Sequence, residues 1–180
     1  MSTMAEMNGW IRKTEAVANI AIIVVAIFIV GVVVENHLRK PGRQAQKIAA
    51  GTRLSIPNVD WSKRNRTLVM ALQQDCSYCS ESAAFYRRVV QETRGNDRIG
   101  LVAVLPQDAG QARNYLHSLG IDVAEVRQLP LRSVGVAGTP TLALVDSKGI
   151  VVQSWLGKLS ASSESEVLSA VAEHGGQSHG

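Results

Sequence analysis

The chain has 180 residues, 46% of them apolar, and carries 19 basic against 15 acidic residues for a net charge of +4. That apolar content excludes wholesale disorder, and the length suffices for one domain with its own core plus extra segments. The weak, dispersed positive charge and the 4% aromatic content lack the dense basic stripe of a nucleic-acid binder.

The first element in chain order is an apolar run over residues 17–34, "VANIAIIVVAIFIVGVVV", in which Asn19 is the one strongly polar residue. At 1.5 Å per residue it spans roughly 27 Å as a helix, close to a hydrocarbon core of about 30 Å. Trp10 sits where an interfacial aromatic is expected. The following "ENHLRKPGRQ" offers no small-residue cleavage site, so the run reads as an uncleaved transmembrane helix in the lipid bilayer. Residues 1–16 are then an N-terminal tail. Residues 35–60 read as a basic linker, a solvated spacer containing "RKPGRQAQKIAAG". Arg39, Lys40, Arg43 and Lys47 after the span outnumber Arg12 and Lys13 before it, but a domain of this length translocates largely regardless of flanking charge.

"TLVMAL" (67–72) is a short continuous apolar run and predicts a buried strand. "SESAAFYRRVVQETRGN" has helical spacing of Ala83, Ala84, Tyr86, Val89 and Val90, stopped by Gly95 and Asn96. "RIGLVAVLP" predicts a second buried strand. "DAGQARNYLHSLGI" predicts a helix with Asp108 as its cap and Gly120 at its end. "AEVRQLPLRSVGVAGTP" is mostly irregular or a short strand. "TLALVDSKGIVVQSWLG" predicts a hairpin with Gly149 in the left-handed position of the turn. "SSESEVLSAVAEH" predicts a final helix capped by Ser162 or Ser163, ahead of a polar tail. The strand–helix–strand opening implies a parallel pair, and the hairpin adds antiparallel strands, so the domain is an α/β mixed sheet covered by helices.

Both cysteines, Cys76 and Cys79, lie in "LQQDCSYCSES", where the first strand gives way to the first helix. Two cysteines cannot form a four-cysteine zinc site, and none of His37, His117, His174 and His179 has ligand spacing to them. A helix N-terminus favours negative charge, which can lower a thiol pKa from about 8.5 into the range of about 3.5–7.5. Cys76 there is a candidate nucleophile, with Cys79 one turn on as resolver. Thr139-Pro140 precedes the hairpin, and a proline there belongs at a strand entry or in a cis turn.

In "DCSYC" at the strand–helix junction, "GVAGTPT" before the hairpin and "LVDSKGIVVQSWLG" as the hairpin, the chain resembles the thioredoxin superfamily. The similarity covers roughly residues 60–173. The distance from Cys76 to Pro140 exceeds that of a minimal thioredoxin and looks more like the membrane-anchored thioredoxin-like proteins of the redoxin and cytochrome-maturation type. The resemblance implies a thioredoxin-like domain over 61–174, followed by a disordered tail at 175–180. It implies that Pro140 is cis and packs against a redox-active Cys76–Cys79 disulfide, and that Thr139 offers backbone hydrogen bonds to a substrate chain. It also implies an exposed Cys76 nucleophile and a buried Cys79 resolver, with no further cofactor and no metal.

This sequence departs from the family at several positions. Asp75 stands where a tryptophan is common, and a nearby carboxylate opposes thiolate formation. "TLVMAL" carries no buried acid, and Glu81 is one position early relative to the glutamate of the cytochrome-maturation relatives. Ser77-Tyr78 differs from the Gly-Pro of thioredoxin, although Tyr78 is similar to glutaredoxins. These modulating positions leave the direction of electron flow open.

The reading that follows is a membrane-anchored thiol–disulfide oxidoreductase. Its partners would be protein thiol or disulfide substrates, and a membrane or soluble redox partner that recycles the pair. Its place would be the inner membrane, single-pass, with the domain on the periplasmic side where disulfides persist. The alternatives are a copper(I)-binding, metallochaperone-like protein using both thiolates, and a non-catalytic docking module. A thiol peroxidase needs a Thr/Pro/Arg-rich pocket that "QQDCSYC" does not supply.

Overall fold

A computed structural model describes residues 46–173, together with Val25, Ala26, Phe28 and Val30, which are helical. The expected tail at 1–16, the rest of the expected span at 17–34, the first part of the linker and the C-terminal tail lie outside the described residues. Among the described residues no helix is long and apolar enough to cross a membrane.

Five strands form one mixed sheet: β1 (Arg66–Ala71), β2 (Ile99–Leu105), β3 (Glu125–Gln128), β4 (Thr141–Asp146) and β5 (Val151–Leu156). Their order is β3-β2-β1-β4-β5, with β1, β2 and β3 mutually parallel, β4 antiparallel to β1, and β5 antiparallel to β4. Central β1 is bonded on both sides and covered on both faces, which explains its unbroken run of buried residues from Thr67 to Ala71. The short strand that the sequence left ambiguous is β3, an edge strand in which only Val126 is buried.

The helices are α1 (Ser77–Glu81), α2 (Ala83–Thr93), α3 (Ala109–Ser118) and α4 (Ala161–Glu173). Strand alternation sends Leu68 and Met70 to one face, where they pack with Phe85, Tyr86 and Val89 of α2, Leu116 of α3, and Val167 and Val171 of α4. The opposite face carries Val69, Ala71, Val102 and Val104, and none of α1–α4 contributes to it. It is covered instead by Ile48, Leu54 and Ile56, by Val134 at the end of a 3-10 turn over Leu131–Val134, and by Val136 just after that turn.

Residues 46–60, read from the sequence as the second half of a spacer, are therefore part of the folded body. Gly51 N donates to Val151 O at 2.8 Å, Val151 N to Thr52 O at 2.8 Å and Leu54 N to Gly149 O at 2.8 Å. Scattered apolar residues bind this segment to the sheet with no period that would mark a strand or helix.

Local signals account for most boundaries. Asp108 Oδ1 accepts from Gly110 N and Gln111 N, each at 3.0 Å, and Gly120 ends α3 at φ +69. In the β4–β5 turn, Gly149 takes φ +80, and Asp146 Oδ1 accepts from Lys148 N and Ile150 N. The cap of α4 differs from expectation: Ser160 Oγ accepts from Ser163 N at 3.3 Å, two residues before the nearer expected cap.

Candidate active site

The loop leaving β1 reaches Cys76 at the N-cap of α1, with extended backbone at φ −101 and ψ 105. Cys76 and Cys79 are joined in a disulfide with Cα atoms 5.2 Å apart. Cys79 N donates to Cys76 Sγ at 3.2 Å, while Cys79 N and Ser80 N both donate to Cys76 O. The two sulfurs differ in access, because Cys79 is fully buried in the helix-side core and Cys76 is half-buried at its margin. A thiol arriving from solvent can reach Cys76 and not Cys79.

Helix α1 is short because the continuous helical pattern breaks at Ser82, whose backbone (φ −88, ψ 5) ends α1 and begins α2. Between the cysteines, Ser77 is exposed and Tyr78 is 57% exposed. Asp75 is exposed, so solvent screens its opposition to a thiolate at Cys76. Glu81 pairs with Lys158, Oε2 to Nζ 2.7 Å. That hydrogen-bonded carboxylate is the main reason the Lys158 pKa is raised, with Tyr78 and Glu164 adding smaller contributions.

The Thr139–Pro140 peptide bond is cis, with Thr139 half-buried and Pro140 buried. Gly157 N, at the end of β5, donates to Pro140 O at 2.7 Å, and Thr141 Oγ1 donates to Gly138 O at 2.7 Å. Register brings this proline to the dithiol end of the sheet. Ala71, the last residue of β1, pairs with Thr141, the first of β4, so the segments carrying Cys76 and Pro140 emerge together.

Beneath α1 no acid projects from β1, whose inward side chains are Leu68 and Met70, followed by the buried Leu72. Ser80 Oγ and Tyr115 OH are 3.3 Å apart, and Tyr86 is almost fully buried. Burial pushes the Tyr86 pKa far up, partly opposed by a hydrogen bond with Ser82. Among the described residues no group of three or more His, Cys, Asp or Glu is arranged to hold a metal ion. His117 lies on α3, lining one of two clefts of about 600 Å³ that include none of the dithiol or proline residues.

Sequence reasoning passed over Lys158, Gly157, Ser80 and Tyr115. Lys158 meets Glu81 across 77 positions, and no local pattern announces such a pairing.

No family model matches the sequence, and no curated protein matches it. Solved structures do match. A protein assigned as thiol:disulfide interchange protein DsbE from Chlorobium tepidum is 18% identical, covering 74% of this chain and 100% of that one, with TM-score 0.54. One assigned as a protein disulfide isomerase from Bacteroides thetaiotaomicron is 13% identical, covering 73% of this chain and 93% of that one, with TM-score 0.59. The thioredoxin domain of a thiol-disulfide oxidoreductase from Bacteroides vulgatus is 15% identical, covering 69% of this chain and 99% of that one, with TM-score 0.54. The chain has the thioredoxin-like fold, with its cysteine pair where the first strand meets the first helix.

Proposed function

We propose that the protein is a thiol–disulfide oxidoreductase that exchanges a disulfide with protein substrates through Cys76 and Cys79. The observation that carries this reading is the difference between two bonded sulfurs: Cys76 is half-exposed and capping α1, while Cys79 is buried behind it.

In the oxidising direction a substrate thiolate attacks Cys76 Sγ. The Cys76–Cys79 bond breaks, and Cys79 leaves as a thiolate. A second substrate thiolate then attacks the substrate sulfur of the mixed disulfide, closing the substrate disulfide and expelling Cys76 as a thiolate. Two electrons pass from substrate to the pair. In the reducing direction the Cys76 thiolate attacks a substrate disulfide and Cys79 resolves the mixed disulfide. In both directions the Cys79 N–H facing Cys76 Sγ stabilises the Cys76 thiolate. The open setting, with Tyr78 exposed beside the disulfide, suits a sulfur carried on a polypeptide better than an enclosed pocket would.

The same reading places the protein as a single-pass inner-membrane protein anchored by residues 17–34. Its domain faces the extracytoplasmic side, a redox partner recycles the pair, and no cofactor beyond the disulfide is needed. The apolar run and the disulfide chemistry support that placement.

The test is the reduction potential of the pair. The full-length chain is equilibrated in glutathione or dithiothreitol buffers and trapped with an alkylating reagent. A reversible two-electron transition is expected, together with a Cys79→Ser variant that accumulates a mixed disulfide on Cys76. A pair that does not cycle reversibly sinks the reading, and copper(I) titration of the reduced chain is then the next measurement.

A further inference from the structure

We infer that Lys158 is a positioning residue for this exchange: its ion pair with Glu81 holds the dithiol helix α1 against the turn that fixes Pro140, and so sets how Cys76 and Pro140 are presented together to a substrate chain. The inference rests on the proposed oxidoreductase function.

The geometry begins with how little holds α1. Five residues long, it buries only Cys79. Besides the disulfide, two side-chain contacts among the described residues tie its flanks. Ser80 Oγ meets Tyr115 OH of α3, and Glu81 meets Lys158 Nζ at 2.7 Å. The second contact reaches the other half of the site. Lys158 follows Gly157, whose N–H holds Pro140 O at 2.7 Å. Gly157 itself sits at φ +80, a backbone conformation that favours glycine, and it places Lys158 after β5 has ended. Glu81, Lys158, Gly157 and Pro140 thus form a continuous brace from the cysteine helix to the proline. Tyr78, between the cysteines, lies close enough to Lys158 to act on its charge, so the brace borders the exposed rim of the site.

A brace of this kind acts on substrates long enough to meet both Cys76 and Pro140, and much less on a small disulfide that reaches only the sulfur. The experiment uses the full-length chain and two oxidants of the reduced pair, a cystine-bridged peptide and 5,5′-dithiobis(2-nitrobenzoate). Lys158→Met is expected to raise KM for the peptide about two- to fivefold, the scale of an exposed ion pair. It should thereby lower the ratio of peptide to small-disulfide kcat/KM. The exchanged pair Glu81→Lys with Lys158→Glu restores the bridge with reversed polarity and is expected to bring that ratio back toward wild type. A Lys158→Met protein that loses both activities in equal proportion, or neither, overturns the inference, as does an exchanged pair that fails to restore the ratio. Wild-type protein inert to both oxidants instead overturns the oxidoreductase reading itself.

Discussion

Helices α1 and α2 share Ser82 as the end of one and the start of the other, yet they are held in opposite ways. Helix α2 buries Ala83, Phe85, Tyr86, Val89 and Val90, so its position follows from apolar packing. Helix α1 buries Cys79 alone and is otherwise fixed by the disulfide, by Cys76 as cap and by polar contacts from Ser80 and Glu81. The helix that carries the disulfide is thus the one whose anchorage can change cheaply, while its neighbour supplies the fixed footing.

The comparison can be broken most forcefully on the α2 side. Phe85→Ala, at a site 3% exposed, is expected to cost about 3–5 kcal/mol in urea unfolding. A loss below about 1 kcal/mol would mean that α2 is not the footing described. A smaller effect is expected on α1. The disulfide closes a loop of sequence separation 3, for which loop-closure entropy is about 2 kcal/mol, so reduction should lower stability by no more than that. Urea midpoints of the oxidised and reduced protein check this, and a reductive loss as large as that of Phe85→Ala would erase the distinction between the helices.

The smallest effect sharpens the comparison by pH. Burial raises the Tyr86 pKa above its ordinary value of 10.0. Above pH 10 the unfolded chain therefore releases a proton that the folded chain keeps, and stability falls as pH rises, by about 1.4 kcal/mol per unit. Below pH 10 this contribution is fully present. Tyr86→Phe is expected to flatten that alkaline slope, and an unchanged slope between pH 10 and 11 would assign it to other groups.

Much of this fold is legible in the sequence because its signals are local. The apolar runs of β1 and β2, the Asp108 cap, Gly120 and the Asp146–Gly149 turn each act within a few residues. The junction that carries Cys76 is legible for the same reason. What escaped depends on contacts distant in sequence. The helical pattern runs through Ser82 without a sign of the break, and β3 has a single buried residue to announce it. Ile48, Leu54 and Ile56 lie among glycine, proline and polar residues with no period, and only the sheet face they cover makes sense of them. In the candidate site, the cysteines and proline stand out by type and order, whereas Lys158 gains meaning only through Glu81.

The hydrogen bonds between residues 51–54 and the start of β5 bear on how the sheet is kept from pairing with other chains. A sheet edge with free N–H and C=O groups recruits any extended chain nearby. Here the outer edge of β5 is occupied where it begins, and Ser154 Oγ farther along donates to Ile48 O. The other edge, β3, is only four residues long and carries the paired charges Glu125 and Arg127. Both edges of the sheet are thereby closed to the addition of a further strand.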